Sequence, residues 1–229
     1  KINQNILKFC HKYKVKKLLS CLSTCIFPDK VTYPIKESFL HMGLPHDSNQ
    51  GYAFAKRMLQ VESSLYNNQY NTNFITVTPT NVFGPNDNYN LINAHVIPAL
   101  IHKCYLAKKD KKPFVCFGTG KPLRQFIYSL DLAKLMLLCL DKYNDKNESI
   151  TLTPNDEISI KYVAESIAEN FDYKNNIKFD TTKSDGQYKK TAANDKLKKL
   201  FPEFKFTKFD DAIKKSCQWF QDNYPKVRK

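Results

Sequence analysis

Lys17-Leu18-Leu19-Ser20-Cys21-Leu22-Ser23-Thr24-Cys25 is a short apolar run that stops on three small polar side chains. Residues 17–22 read as a buried β-strand, and Ser23, Thr24 and Cys25 fall where it ends. In open α/β sheets ligands bind outside the carboxyl ends of the strands, which makes these side chains candidates for a site. About one loop downstream stands Gly51-Tyr52-Ala53-Phe54-Ala55-Lys56, a Tyr-x-x-x-Lys step opening a helix. Side chains four apart share a helical face, so the spacing predicts the Tyr52 phenol beside the Lys56 ammonium. A cation there favours the phenolate and pulls a tyrosine down from its ordinary pKa of ~10, making it usable as acid or base. Ser23 then suits holding the carbonyl that Tyr52 protonates. The arrangement fits hydride transfer to a ketone, although a helix also carries Tyr and Lys four apart with no chemistry attached.

Working outward, helical spacing covers Ile6–Tyr13, and Pro28, Pro34, Gly43 and Pro45 mark a long loop. Ser48-Asn49 is expected to cap a helix running to about Tyr70, with Met58, Val61 and Leu65 along one side. Residues 73–78, 114–117, 125–128, 149–152 and 177–180 read as strands. Residues 95–108, 130–143, 159–170 and 209–223 read as helices, the last opening on a Thr207/Asp210 capping box. Strands alternating with helices mean an α/β protein. There is no internal repeat and no low-complexity tract.

Composition narrows the class. The 229 residues can bury a substantial core, and 42% hydrophobic content is ordinary for a soluble protein. The longest apolar runs, such as Leu135–Leu140, are far too short to span a bilayer. Lys1-Ile-Asn-Gln-Asn5 carries no apolar signal core, so a cytoplasmic protein is expected. Seven cysteines without a C-x-x-C pair argue against a disulfide framework and against a metal site, and fit a reducing compartment. The net charge of +14 invites a nucleic-acid reading. It is spread over lysine pairs with arginine only at 57, 124 and 228, which is a solvated surface with no recognition helix. No nucleic-acid or membrane partner is expected.

A dinucleotide fold begins with a glycine-rich turn that seats the pyrophosphate on a helix N-terminus. None of the six glycines builds one after a strand. Gly118-Thr119-Gly120 comes nearest but meets Leu123 where a third glycine is needed, so a hairpin turn is expected there. The expectation is a Rossmann-type doubly wound parallel sheet lacking its N-terminal βαβ units, plus a smaller C-terminal α/β substrate-binding domain. Residues 1–92 would be the later part of the NADP-binding domain, and 93–229 mainly the substrate region, with about 120–150 returning to the first.

Five stretches taken in order carry a resemblance: Ser23-Thr24-Cys25, Tyr52-x-x-x-Lys56, Pro79-Thr-Asn-Val-Phe-Gly-Pro-Asn-Asp-Asn88, Asn93-Ala-His-Val-Ile-Pro98 and Arg124-Gln-Phe126. With Phe179–Gly186 and the final helix, the chain resembles the GDP-L-fucose synthases, extended short-chain dehydrogenase/reductases, over its whole length. The resemblance implies 3,5-epimerisation of GDP-4-keto-6-deoxy-D-mannose followed by NADPH-dependent reduction at C4. A 4-keto group acidifies the protons on C3 and C5, and inversion removes a proton from one face and returns one to the other. A thiol and an imidazole suit that work, with ordinary pKa values of ~8.5 and ~6.5.

By resemblance the catalytic set is Ser23, Cys25, Tyr52, Lys56 and His95, with Cys25 the base and His95 the acid. Cys21, Leu22, Ser23, Thr24, Tyr52, Lys56, Pro79, Thr80, Asn81, Val82 and His95 would face NADPH. Lys103, Phe117, Arg124 and Asp185 would hold the nucleotide end. Arg124 suits a diphosphate because its fork bonds two oxygens, and Phe117 suits stacking on guanine. Family members pair as homodimers through the helix of Tyr52 and Lys56. The other cysteines read as small buried hydrophobes, and His11, His41, His46 and His102 as locally bonded. A sugar-nucleotide-binding scaffold without catalysis is the alternative, against which the intact set of five argues.

Overall fold

The structure, a computed structural model, describes residues 1–185 and 188–229. Gly186, in the 179–186 stretch singled out above, lies outside the described residues. In chain order the elements are α1 (Ile2–Lys12), β1 (Leu18–Cys21), α2 (Gln50–Tyr70), β2 (Phe74–Pro79), β3 (Asn81–Phe83), α3 (Val96–Lys109), β4 (Phe114–Phe117), β5 (Leu123–Arg124) and β6 (Phe126–Tyr128). There follow α4 (Ser129–Lys142), β7 (Ile150–Leu152), β8 (Ile158–Ser159), α5 (Ile160–Asn170), β9 (Ile177–Asp180), α6 (Asp195–Leu200) and α7 (Phe209–Asn223). The chain is α/β, as its alternating pattern predicts.

One unit takes residues 1–80, 132–155 and 191–204. Its centre is a parallel sheet in the order β1-β2-β7, with Cys21 in register with Val77 and Val77 with Ile150. Every residue of β2 is buried, Thr76 and Thr78 included, as in a strand covered on both faces. Leu7 of α1 and Leu59 of α2 pack with Leu22, Ile26, Phe27 and Phe74 into a core beside the sheet. α2 turns the other way from expectation: Met58 and Leu65 of its apolar side are exposed, while Ala53, Arg57, Gln60, Ser63 and Asn67 are buried. Asn67 is inside because its amide bonds the Phe74 and Lys146 carbonyls at 2.8 and 2.9 Å.

The other unit takes residues 81–131, 156–190 and 205–229, within the described residues. It holds three strand pairs: β3 with β6 and β4 with β9 in parallel, β5 with β8 antiparallel. Helices α3, α5 and α7 enclose a core of Ile97, Ile101, Phe114, Val163, Ile167, Phe171, Ile213 and Phe220. The hairpin expected around Gly118–Gly120 is therefore not formed. The strands on either side of the turn pair with distant partners, and the turn is closed by Asp185 instead.

Two expected caps also differ. Lys208, not Thr207, is the N-cap of α7, because the Thr207 hydroxyl and N–H both bond the Asp131 carboxylate, at 3.0 and 2.7 Å. Asn49 precedes α2 without a side-chain bond, and Ser48 lies in a 3-10 turn capped by His46, whose ring accepts from the Ser48 N–H at 3.2 Å.

Candidate active site

The first unit assembles four of the candidate residues at the carboxyl end of β1. The ladder continues one step past the strand, where the Leu22 N–H bonds the Val77 carbonyl at 2.7 Å. Ser23 is extended, at φ −159 and ψ 150, and its hydroxyl accepts from the Cys25 N–H at 3.3 Å. That bond caps a 3-10 turn, Thr24–Ile26, with half-buried Cys25 at its middle and Thr24 and Ile26 buried. The Leu22 side chain belongs to the core of this unit, and Thr24 is 5% exposed, which leaves backbone at those positions to face a ligand.

From the first turn of α2, Tyr52 reaches this strand end. Its phenol hydrogen-bonds the Ser23 hydroxyl and lies in electrostatic range of Cys25 and Cys21. One turn further on, Lys56 Nζ donates to the Cys21 carbonyl at 2.7 Å and stands 6.0 Å from the centre of the Tyr52 ring. The expected depression of the Tyr52 pKa is not found. Burial pushes the phenol up, and the Ser23 bond works against that push without overcoming it. The physical reason is the ammonium's engagement at a carbonyl rather than at the phenol oxygen. A phenol pushed upward is protonated at neutral pH and is suited to give a proton to a ketone oxygen.

The remaining cofactor candidates continue along β2 and beyond. Pro79 ends β2, and the Thr80 hydroxyl donates to Thr153 at 3.1 Å. In the second unit Asn81 bonds the Gln125 carbonyl at 2.9 Å through its amide, and half-buried Val82 follows in β3.

In the second unit His95 is the N-cap residue of α3, with φ −66 and ψ 167 and no side-chain cap bond. The loop before it is stiffened by its own asparagines: the Asn90 side chain accepts from the Ile92 and Asn93 N–H groups at 2.8 and 3.1 Å, and Asn88 donates to Asn93 at 2.9 Å. Tyr89, fully buried, anchors the loop, its carbonyl bonded by His102 Nδ1 at 2.7 Å. Half-buried Asp87 faces His95 and Arg228: burial pushes its carboxyl up, and the Asn88 N–H and those two groups work the other way.

The nucleotide-binding candidates lie in the second unit as well. Lys103 Nζ sits 3.9 Å from the centre of the Phe117 ring, whose side is open to solvent at 56% exposure. Arg124 folds back on the Leu123 and Tyr188 carbonyls, at 2.7 and 3.4 Å. Asp185 accepts from the Thr119 hydroxyl and N–H at 2.7 and 2.6 Å, and these bonds hold its carboxyl below the usual carboxylate range. Gly118 and Gly120 have φ of +81 and +75, the left-handed region that this turn requires.

Arg57 and Asp87 were not among the residues singled out from the sequence. Arg57 is 8% exposed and bonds two backbone carbonyls of the first unit, those of Ile26 and Gly43. A signal for it exists in composition, since a lysine-rich chain with three arginines spends one directly after Lys56.

The profile of the NAD dependent epimerase/dehydratase family matches residues 1–152. The GDP-L-fucose synthase of Dictyostelium discoideum is 55% identical over 229 residues, an alignment that takes in 100% of this chain and 72% of that protein. A probable GDP-L-fucose synthase of Drosophila melanogaster is 44% identical, across 100% of this chain and 74% of its own. The crystal structure of a GDP-L-fucose synthetase from Naegleria fowleri bound to NADP superposes with a TM-score of 0.97 at 49% identity, covering 99% of this chain and 73% of that one.

Proposed function

Because the chain belongs to the GDP-L-fucose synthases, within the NAD dependent epimerase/dehydratase family, we propose that it makes GDP-L-fucose from GDP-4-keto-6-deoxy-D-mannose. The sequence is epimerisation at C3 and C5, then reduction at C4. The observation that carries this reading is the convergence of Ser23, Cys25, Tyr52 and Lys56 at one strand end.

Cys25 acts as the base. Its thiolate takes a proton from the carbon beside the ketone, the C–H bond breaks, an S–H bond forms, and the electron pair passes to the C4 oxygen as an enolate. His95 acts as the acid: its imidazolium N–H bond breaks, a C–H bond forms on the opposite face, and the ring is left neutral. Exchange with water resets both groups before the second centre is inverted.

Reduction then uses the other three residues. Ser23 holds the ketone oxygen through its hydroxyl, and Tyr52 gives that oxygen its proton. The donor set at this strand end fits a nicotinamide nucleotide: the Lys56 ammonium would bond ribose hydroxyls, and backbone is offered at the carboxyl ends of two parallel strands. NADPH, when bound, supplies the hydride to C4. Cys21, Leu22, Thr24, Pro79, Thr80, Asn81 and Val82 would contact it, mainly through backbone. Lys103, Phe117, Arg124 and Asp185 bind the GDP moiety. Arg124 must release the Leu123 and Tyr188 carbonyls to offer its fork to a diphosphate.

The protein works as a homodimer in this reading, and the exposed Phe54, Met58 and Leu65 on α2 support it. It acts in the cytoplasm, and no helix among the described residues is long and apolar enough to cross a membrane. The test is incubation of the protein with GDP-4-keto-6-deoxymannose and NADPH followed by chromatography. GDP-fucose is expected, and its absence overturns the assignment.

A further inference from the structure

Arg57 has no task in the chemistry above, yet the fold keeps its guanidinium inside. It is 8% exposed with no acidic partner among the described ion pairs, and burial lowers its pKa from the ordinary arginine value. Nε donates to the Ile26 carbonyl and Nη1 to the Gly43 carbonyl at 2.7 Å, while Nη2 is buried without a partner. A charge buried against two carbonyls and the face of the Phe54 ring, 5.7 Å away, with no carboxylate, is expensive compared with an apolar side chain of the same size. Its position gives the reason. Ile26 ends the 3-10 turn whose middle residue is Cys25, and Ser23 holds the Cys25 N–H from the other side. The Cys25 backbone is thus fixed at both ends, once by the strand and once by the helix that carries Tyr52 and Lys56.

We propose that Arg57 is the positioning residue for the Cys25 base, its fork tying the Ile26 and Gly43 carbonyls to α2 so that the thiol is set relative to Tyr52 and Lys56. Only a planar fork reaches both carbonyls at once. A lysine stem ends in one point charge and holds one of them. The role is separable from reduction, because Ser23 directly follows the β1–β2 ladder, whose last bond is at Leu22, and Tyr52 and Lys56 are carried by α2 itself. The inference rests on the reading of Cys25 as the base.

The experiment incubates the protein with GDP-4-keto-6-deoxymannose in deuterated water and follows deuterium at C3 and C5, a readout that needs no hydride. NADPH oxidation is measured separately on ketone already epimerised at C3 and C5 by the parent protein without NADPH, so that reduction no longer waits on the base. Arg57→Lys and Arg57→Gln are expected to lower kcat for exchange by ~10–100-fold, since displacement of a reacting group by about 1 Å has effects of that order. KM and the rate of NADPH oxidation stay within about threefold of the parent, the pattern of a residue that acts through Cys25 alone. Equal loss of both activities, undiminished exchange in both variants, or failure of both to fold assigns Arg57 to stability and overturns the proposal. Should only Arg57→Gln fail to fold, Arg57→Lys decides. Cys25→Ser is run beside them. If it keeps exchange, the reading of Cys25 falls. If it loses exchange while both Arg57 variants keep it, only the inference about Arg57 falls.

Discussion

Lys56, four residues and one helical turn beyond the tyrosine it was expected to tune, donates a hydrogen bond from its ammonium to the carbonyl of Cys21. The cation thereby marks the end of β1 rather than the phenol. Tyr52 takes its character from half-burial and from Ser23, its partner on the strand side of the site. In the proposed reduction Tyr52 is the acid and Lys56 the anchor.

A pH dependence follows. Tyr52 is an acid whose pKa is raised by burial and partly lowered again by the Ser23 bond. An acid of this kind is active below its pKa, so reduction should hold through neutrality and fall as pH rises through the tyrosine, above ~10. Ser23→Ala removes the lowering bond and should move that alkaline limb higher while cutting kcat ~100-fold, as the ketone loses its donor. The check is kcat for NADPH oxidation against pH in both proteins, and a limb that moves down contradicts the assignment.

Cys25→Ser should separate the two reactions. The serine hydroxyl is a far weaker base than a thiolate, so deuterium uptake at C3 and C5 should disappear while slow NADPH oxidation persists. Chromatography of the products decides: GDP-fucose at the parent rate means that Cys25 has another role.

How much of this was legible in the sequence depends on how local each cause is. The strand 17–22 and the Tyr52/Lys56 spacing announce themselves, because period and i,i+4 geometry act within a few residues. Strands β3, β5 and β8 run only two or three residues, and β5 meets β8 through Leu123 and Ser159, too brief and too distant for any pattern to show. The capping box at Thr207 failed for a similar reason, since Asp131, 76 residues away, takes the hydroxyl and the N–H. Arg57 is bonded to the carbonyls of Ile26 and Gly43, and a carbonyl leaves no trace in a sequence. Ser23, Cys25, Tyr52 and Lys56 were readable as types in a spacing, while the direction of the Tyr52 shift needed the position of the Lys56 ammonium.

Lys103 lies over the ring of Phe117, with 3.9 Å between the ammonium and the ring centre, and the two are proposed to hold the nucleotide end. Such contacts contribute ~0.5–2 kcal/mol, so Lys103→Ala should raise KM for the GDP-sugar by ~2–30-fold and leave kcat nearly unchanged. Steady-state kinetics at fixed NADPH measures both constants. A fall in kcat with KM intact would remove Lys103 from the binding role.

Stability at low pH should report on Lys196. Its ammonium bonds Asp145 at 2.9 Å and Glu148 at 2.8 Å, beside the start of β7. Burial works to raise the Asp145 carboxyl, and the Lys196 bond with the Asn147 and Glu148 N–H groups outweighs it, leaving the pKa lowered. A lowered carboxylate stabilises the fold above its unfolded pKa and loses that contribution as pH falls through the folded value. Lys196→Met should therefore cost about 1 kcal/mol at neutral pH, a figure reduced for the partial exposure of the carboxylates. The difference from the parent in urea unfolding should vanish as pH falls through the lowered Asp145 pKa. A difference that persists there would trace to packing rather than to the ion pair.

Gly118 ties backbone conformation to Asp185, which is proposed to hold the nucleotide end. At φ +81 an alanine is strained, at a cost of ~1–3 kcal/mol, and its Cβ would lie 2.2 Å from Asp185 Oδ1. That oxygen is the one that accepts from the Thr119 N–H, so the new methyl group and the carboxylate compete for one place. Gly118→Ala should expel Asp185 from the turn and weaken GDP binding, read as a rise in Kd by titration calorimetry. Asp185→Asn tests the same contact without the backbone strain, and should lower affinity while the melting temperature stays near that of the parent. If Gly118→Ala loses stability but binds GDP as well as the parent, then Asp185 latches the 118–120 turn without reaching the ligand.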